Sequence, residues 1–385
     1  MMLKYIGNRI LQIAILLVIY VAIVFFLLHA MPGGIKTLLI SNPKLTPQAQ
    51  EAIIRAFGLD QPLWLQFVDY MKNVFTLNLG ISFSYYPTPV WNIIAERLPR
   101  TVLLFTVATL IAFFVGFASG KSLAWNRGKT TEYVSTIVGI ITYTIFTPLL
   151  IFVMIWFFGS FLGIFPLNQF LNPDLWIHTH LNAQVIFLYI LLTMLIIGIV
   201  MLVSYLMALR FSHRIRTRRL IFYLSTIIAV VFSLFFWWIS PVGIYAADIL
   251  WHMVLPVMTV TIISYAGNML VMRDSMLETI KEDFITTARA KGLPDKVVRD
   301  KHAARTAMLP VVTNFVLSLG FVVSGGVITE SLFSWPGMGM TLLDSTLAKD
   351  YPLAAGALIF TGIFVLFAHL AIDIIYAFLD PRIRY

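Results

Sequence analysis

The chain has 385 residues, of which 59% are hydrophobic and only 12% are charged. Soluble domains average about 25% charged residues and have no room to bury this much apolar surface, so a soluble protein is excluded. The sequence contains no cysteine, which excludes disulfides, thiol chemistry and Cys-ligated metal clusters.

Eight uncharged runs of the sequence are each long enough to cross a bilayer, which takes about 20 residues. In chain order they are residues 10–28, 101–119, 133–159, 184–209, 220–247, 249–272, 306–329 and 351–372. The first run also resembles a secretory signal, but it is long, and Leu28-His29-Ala30 lacks the small-x-small cleavage pattern. We therefore expect an uncleaved first span and an all-α polytopic membrane protein.

Lys and Arg residues are distributed unevenly between alternate loops. If the N-terminus faces the cytoplasm and all eight runs cross, twenty of the 27 Lys and Arg residues lie on the cytoplasmic side. Cytoplasmic loops of membrane proteins carry such an excess, so both termini are predicted to be cytoplasmic. The formal charge of +9 is then a sign of topology, and it gives no reason to expect nucleic acid as a partner.

Two segments with their own structure fall on the external side in this orientation. Residues 31–100 contain amphipathic stretches at 47–57 and 62–75, and loops of this length usually carry structure or function. A lid, a docking surface and a passive cap are all compatible with this segment. The other, residues 330–352, contains FSWPGMGM, whose glycines, proline and aromatic residues predict a re-entrant or interfacial loop.

A polar, basic segment lies between the sixth and seventh runs, within a predicted cytoplasmic loop at 273–308. Apolar residues of its string DFITTARA recur at helical spacing and predict a short amphipathic helix. Gly292 then supplies a left-handed stop, and Pro294 followed by Asp295 suits the first turn of a second helix. The sequence thus predicts a helix-glycine-helix elbow that can dock into a groove on a partner protein.

No catalytic motif is found in the sequence. It has no Walker A pattern, so this chain is not expected to hydrolyse nucleotide through a P-loop, and its seven histidines show no paired metal-ligand spacing. His252, Glu330 and Asp373 are functional candidates, because an ionisable group within or at the edge of a span is costly. Interfacial or interhelical contacts are their alternative roles. Asp373 lies two turns before Asp380 and Arg382, so an ion pair at the cytoplasmic end is predicted to satisfy it.

Several separate motifs match one protein family. They are the elbow string TARAKGL, the following string RDKHAARTAMLPVVT, the external string GGVITESLFSWPGMGM and the early string FGLDQPLWLQFVDYMKN. On these motifs the chain resembles the first permease subunit of the dipeptide, oligopeptide and nickel branch of ABC importers. The general coupling pattern of such permeases is Glu-Ala-Ala, three residues and Gly; here Thr286, Thr287 and Ala288 take the first three places.

The resemblance implies a type I ABC-importer permease fold in a bacterial cytoplasmic membrane, with six core transmembrane helices. Residues 170–247 have no counterpart in the typical six-span member, and this insertion is predicted to add two spans without changing the side of later loops. The implied partners are a homologous second permease, two ABC ATPases that hold ATP and Mg, and an extracytoplasmic substrate-binding protein. The chain itself is expected to bind no cofactor or metal and to be a transport subunit, with no enzyme activity.

The same resemblance suggests which residues act in transport. The predicted ATPase-coupling residues are Phe284, Ile285, Thr287, Ala288, Arg289, Ala290, Lys291 and Gly292. The predicted residues of an external gate or re-entrant loop are Glu330, Trp335, Pro336, Gly337 and Gly339. His252 and Asp373 are kept as polar candidates within the membrane.

Two alternatives remain open at this point. Within the family, nickel or another small solute could replace peptide, because this subunit carries little of the specificity. From a different class, the chain could be a self-sufficient secondary transporter or channel, although its ionisable residues form no relay at helical spacing. A membrane scaffold or enzyme would need chemistry for which the sequence has no motif.

Overall fold

The protein is almost wholly helical. Its structure, a computed structural model, describes residues 2–30, 46–56, 58, 60–167, 169–177, 179–211 and 215–379. Within these ranges the β pairing is limited to one isolated antiparallel bridge between Ile81 and Pro89. The structure divides into two compact units, one of Met1–Trp156 with Pro256–Tyr385 and the other of Phe157–Leu255.

The described helices are numbered here in chain order. They are α1 (Met2–His29), α2 (Pro47–Ala56), α3 (Leu63–Phe75), α4 (Val90–Trp125), α5 (Thr130–Thr144), α6 (Thr147–Met154), α7 (Pro173–Trp176), α8 (Ala183–Phe211), α9 (Ile215–Ile239), α10 (Gly243–Thr279), α11 (Asp283–Ala290), α12 (Asp295–Val297), α13 (Ala304–Phe321), α14 (Val327–Leu332), α15 (Met338–Leu347) and α16 (Tyr351–Leu379). Short π-helical stretches extend α6 to Phe161 and join α12 to α13. The two amphipathic stretches predicted after the first span are confirmed as α2 and α3.

Among the described residues, seven helical stretches are long and apolar enough to cross a membrane. They are Ile6–His29, Val90–Trp125, Ala183–Arg210, Thr217–Ile239, Gly243–Thr279, Asp295–Ser324 and Tyr351–Leu370. Helices α5 and α6 form an eighth if this bent pair counts as one span, in agreement with the eight predicted spans.

The helices extend beyond the uncharged runs that predicted them. Helix α4 begins at Val90, inside the segment assigned to an external loop, and α10 continues to Thr279. A charged residue near the end of a span does not end the helix, because its long side chain can reach the polar interface. The fifth run is shorter than predicted: α9 ends at Ile239, and Pro241 separates it from α10.

The third predicted span, residues 133–159, is not one straight helix. Helices α5 and α6 meet at a bend of 104°, and the backbone at Ile145 and Phe146 is extended. Pro148 explains the break, since it lacks the N–H that would bond to Thr144 and its ring would clash with that carbonyl. Because proline is uncharged, an uncharged run gives no sign of such a break.

Helix α16 holds the first unit together. One cluster of buried side chains joins it to α1 and α3, with Val21 and Val74 among its members. Another joins it to α4 and α15 through Ile94 and Met338. Tyr20 of α1 also donates its hydroxyl proton to the carbonyl oxygen of Leu358 at 2.8 Å. Between helices in lipid, close packing and hydrogen bonds of this kind supply the attraction.

The second unit contains the helix pair α8–α9, whose two members pack against each other. Trp237 of α9 donates its Nε1–H to Thr193 Oγ1 of α8 at 3.2 Å. Apolar side chains point away from the pair, and Trp238 is 82% exposed, as expected of a surface that meets lipid. Both helices fall in the predicted insertion, residues 170–247, whose bounds stay a prediction.

Candidate functional site

The elbow, residues 283–310, has the helix-glycine-helix form predicted from the sequence. Helix α11 begins after the extended residue Glu282, and Asp283 in its first turn complements the helix dipole. The turn after it contains Gly292, whose φ of 72° lies in the left-handed region that glycine adopts without strain. Helix α12 then starts directly after Pro294.

The two faces of α11 differ in their surroundings. Ile285 is 1% exposed and Ala288 is 5% exposed, and both pack in a buried cluster with Met276 of α10 and Val298. The other predicted coupling residues are exposed, and they are Phe284, Thr287, Arg289, Ala290, Lys291 and Gly292. The buried pair therefore fixes the helix to its own chain, while the exposed set is available to a partner.

Polar contacts fix the elbow to α4, a connection that the sequence analysis missed. Asp300 lies 3.1 Å from Lys121 Nζ and also accepts from Arg299 Nε at 2.9 Å. The guanidinium of Arg289 lies over the ring of Trp125, 5.4 Å from its centroid. Nothing in the sequence links Lys121 to an aspartate so far along the chain.

A second ion pair connects α10 to α5. Arg273 donates from Nε to Glu132 Oε1 of α5 at 2.8 Å. Glu132 is only 3% exposed, and its other oxygen accepts the Gly128 N–H at 3.3 Å. The pair ties the first helix of the bent span to α10 shortly before the elbow begins.

The hairpin, residues 325–347, consists of α14, a tight turn and α15. It contains every residue predicted for the external gate, namely Glu330, Trp335, Pro336, Gly337 and Gly339. Glu330 is fully buried and accepts from Thr101 Oγ1 of α4 at 2.8 Å and from the Met340 N–H at 3.0 Å. Trp335, also buried, donates its Nε1–H to the Arg100 carbonyl oxygen at 3.2 Å.

Thr101 binds both arms of the hairpin. Besides donating to Glu330, its Oγ1 accepts the N–H of Met338, the first residue of α15, at 2.7 Å. Gly337 is required here, because a Cβ at that position would lie 2.4 Å from Thr101 Oγ1 and 2.6 Å from Glu330 Cδ. Thr101 was not predicted as a site residue, and its place at the start of an uncharged run carries no sign of this role.

The carboxyl group of Glu330 is held in an environment of hydrogen-bond donors. Burial raises its pKa to about 7, since the ionised form loses its hydration. Hydrogen bonds from Thr101 and from the backbone N–H groups of Gly326, Gly339 and Met340 oppose that rise in pKa, because they favour the carboxylate. Burial outweighs these bonds, so the pKa of the Glu330 carboxyl stays above its ordinary value.

The two polar candidates within spans each have a local partner. His252 Nδ1 lies 2.8 Å from the Asp248 carbonyl oxygen and 3.3 Å from its carboxylate. Asp373 pairs with Arg9 of α1, with 3.4 Å between Oδ2 and Nε. The observed partner of Asp373 thus comes from the first helix. The ion pair predicted near Asp380 and Arg382 falls in residues 380–385, outside the described part of the chain.

Comparison with known protein families gives two matches. Residues 200–385 match the family described as "Binding-protein-dependent transport system inner membrane component". Residues 2–105 match the N-terminal region of such membrane components. The longer match begins inside the predicted insertion, so the family comparison does not delimit that insertion.

Curated relatives are similar over nearly the whole chain. The dipeptide transport system permease protein DppB of Lactococcus lactis subsp. cremoris is 29% identical over 383 residues, which cover 100% of both chains. The oligopeptide transport system permease protein AppB of Bacillus subtilis is 28% identical over 361 residues, 94% of this chain and 93% of its own. DppB of Escherichia coli K12 is 29% identical over 361 residues, with the same 94% and 93% coverage.

The two matched ranges together contain the elbow, the hairpin and most of the long apolar helices. They agree with the resemblance found in the separate sequence motifs. The chain belongs to the family of inner membrane components of binding-protein-dependent transport systems, as a multi-pass permease with the type I ABC-importer permease fold in the cytoplasmic membrane.

Proposed function

We propose that this chain forms half of the translocation pathway of an ATP-driven importer of dipeptides and oligopeptides. The solute class is supported by the names of the relatives, which are dipeptide and oligopeptide permeases similar over nearly their full length. A homologous second permease would supply the other half of the pathway. An extracytoplasmic binding protein would deliver the peptide to the outer face.

In this proposal the energy for transport enters through the elbow. ATP and Mg bind to two ATPase chains, and this chain carries neither. The observation that supports this role most strongly is the division of α11 into a buried face at Ile285 and Ala288 and an exposed face that includes Phe284 and Lys291. A short helix anchored on one side and exposed on the other can fit a groove on a partner and be displaced as a rigid body.

The proposal places the elbow in the cytoplasm and the hairpin outside the cell. Helix α4 contacts the hairpin through Thr101 and the elbow through Lys121. The helix between these residues rises about 30 Å, which matches the hydrocarbon thickness of a bilayer. The two sites are therefore spaced as expected for opposite sides of a membrane.

Peptide uptake by reconstituted vesicles tests this function. The vesicles contain this chain, the second permease and the two ATPases, with ATP inside and with the binding protein and a labelled peptide outside. We expect uptake that requires internal ATP and is abolished by vanadate. Uptake by this chain alone, driven by an ion gradient without ATP, would contradict the proposal and favour a secondary transporter or channel.

A nickel or other metal chelate is the alternative solute, because the string TARAKGL is typical of both the peptide and the nickel importers. Competition in the same vesicles separates the two. Excess unlabelled peptide is expected to suppress uptake of the labelled peptide, whereas a nickel chelate is not. The opposite pattern would assign the chain to metal uptake.

A further inference from the structure

Helix α4 contains contacts to both candidate sites within one unbroken helix. It runs from Val90 to Trp125, a length of about 54 Å at 1.5 Å per residue. Its internal proline, Pro99, lies on the far side of Thr101 from the elbow, so the stretch between Thr101 and Lys121 has none. This stretch therefore has no proline kink. Its Ser119–Gly120 pair is the other kind of site at which helices kink, and there the backbone packs against α10.

At the elbow end, three kinds of contact converge on the last two turns of α4. Lys121 makes its ion pair with Asp300, and the two side chains are only 22% and 30% exposed. Ala124 is buried in the same cluster as Ile285. Trp125 lies under the guanidinium of Arg289. A displacement of the elbow therefore bears on α4 through charge, packing and ring contacts together.

At the other end, the contacts of α4 are hydrogen bonds to the hairpin. Thr101 bonds to Glu330 and to the N–H of Met338, so it reaches both arms. The carbonyl oxygen of Arg100 accepts from the buried Trp335 ring. Since these groups are buried, moving α4 without the hairpin would leave several of them unpaired, which is costly.

Just before Lys121, α4 packs closely on α10. A Cβ added at Gly116 would lie 2.6 Å from Asn268 Cβ, and one at Gly120 would lie 2.4 Å from the Met269 carbonyl oxygen. This backbone contact supports α4 near its elbow end, and farther along Thr261 of α10 donates to the Ala108 carbonyl oxygen at 3.4 Å. Both contacts resist bending of α4. A displacement at one end of α4 therefore moves the other end too, because the helix moves as a rigid body.

We propose that α4 transmits displacement of the elbow to the external hairpin, and that the Lys121–Asp300 pair is the positioning contact through which the elbow moves it. This inference rests on the proposed function, since it requires that an ATPase moves the elbow. What it adds is the route of the displacement, which runs from the elbow through Lys121, α4 and Thr101 to the hairpin. An energetic link of this kind requires a contiguous set of contacts and must be shown by measured coupling.

Charge reversal and charge exchange at this pair provide the test, in the complete importer with both permeases, both ATPases and the binding protein. The variants are Lys121→Glu, Asp300→Lys and the double variant that exchanges the two charges. Lys129→Glu is the matched control, because Lys129 is an exposed lysine in the loop after α4. The first readout is the amount of peptide imported per ATP hydrolysed.

A reporter on the hairpin gives the second readout. This chain has no cysteine, so Leu347→Cys at the end of α15, where the side chain is 73% exposed, introduces the single thiol of the chain. The other chains of the importer are prepared without reactive cysteines, so that labelling reports on Leu347→Cys alone. The rate of maleimide labelling is compared with and without ATP plus vanadate.

We expect each single charge reversal to lower peptide imported per ATP and the ATP-dependent change in labelling by about fivefold or more, as for a coupling contact. The exchanged pair is expected to recover both readouts, and Lys129→Glu to leave them at the level of the unaltered chain. If a reversal variant does not assemble, Lys121→Met removes the charge, whose Nζ lies 5.6 Å from the centroid of the Phe117 ring, while keeping an unbranched apolar side chain. It is expected to show the same loss.

Two results would overturn the inference. One is normal uptake and labelling in the reversal variants while Gly292→Val still separates hydrolysis from uptake; the elbow would then act by another route. The other is loss of both readouts in the reversal variants with no recovery in the exchanged pair. A third outcome concerns the chain with its Lys121–Asp300 pair intact. If neither ATP nor Gly292→Val changes peptide uptake or labelling there, the proposed function itself fails.

Discussion

At Gly292 the backbone conformation makes a direct prediction about the elbow. Its φ of 72° suits glycine, and a Cβ there would meet no atom within 4 Å, so a substitution is opposed by the backbone alone. A left-handed conformation costs an L-residue about 1–2 kcal/mol, and a β-branched residue tolerates it least. We expect Gly292→Val to leave ATP hydrolysis by the importer in place and to abolish most peptide uptake.

The control for that substitution is Gly163→Val. Gly163 also has a positive φ, 62°, and open space around it, but it lies outside the elbow. The strain is therefore similar and the location differs. Uptake is expected to persist in Gly163→Val, and equal uptake in both variants would show that the elbow turn has no part in coupling.

The carboxyl group of Glu330 predicts a pH dependence of stability. Its pKa is raised from 4.5 to about 7 by burial, so the folded protein binds this proton more tightly than the unfolded chain does. The stabilisation from the bound proton is therefore complete below pH 4.5 and is lost as pH rises through about 7. Relative to Glu330→Gln, the melting temperature of the unaltered chain in detergent is expected to fall across this range. A difference in melting temperature that does not change with pH would contradict the raised pKa.

One face of α11 anchors the elbow to its own chain, and the other face is proposed to dock on an ATPase. Substitutions of two neighbouring residues of α11 test these two roles separately. Ile285→Asp places a charge at a position only 1% exposed, which we expect to destabilise the chain by about 3 kcal/mol or more. Phe284→Asp alters a side chain that is 42% exposed. It is expected to leave the melting temperature nearly unchanged and to reduce co-purification of the ATPases. Equal effects of the two variants on melting and on co-purification would contradict the division.

Local pattern predicted the elements of the elbow well, because helical spacing, Gly292 and Pro294 all act within a few residues. The bend of α5 and α6 has an equally local cause, Pro148, but an uncharged run of sequence carries no sign of it. The pairs Lys121–Asp300 and Arg9–Asp373 are of another kind. They join residues far apart in the chain, and only the packing of the helices brings them together.

For the whole molecule, cysteine labelling tests the topology on which the proposal depends. Single cysteines are introduced at Lys291 and Leu347, which are exposed, and at Arg218, which is partly exposed. An impermeant maleimide added to intact cells is expected to label Leu347→Cys alone, while Lys291→Cys and Arg218→Cys react only after the membrane is opened. Labelling of Lys291→Cys in intact cells would place the elbow outside and remove it from any contact with cytoplasmic ATPases.

The same labelling examines the predicted insertion, residues 170–247. Two added spans return the chain to the side from which it came, so the later loops keep their sides. Arg218 near the start of α9 should then share the cytoplasmic side with Lys291. If Arg218→Cys is labelled from outside, the helix pair α8–α9 does not cross the membrane as predicted.

Cross-linking from the elbow in the assembled importer is the most direct test of the central claim that an ATPase docks on α11. A photoreactive amino acid placed at Thr287, on the exposed face of this helix, is irradiated in membranes that contain the complete complex. The account predicts an adduct with an ATPase chain, and none with an ATPase from the same probe at Leu347 of the hairpin. An ATPase adduct from Leu347, or an adduct from Thr287 with the binding protein, would contradict it.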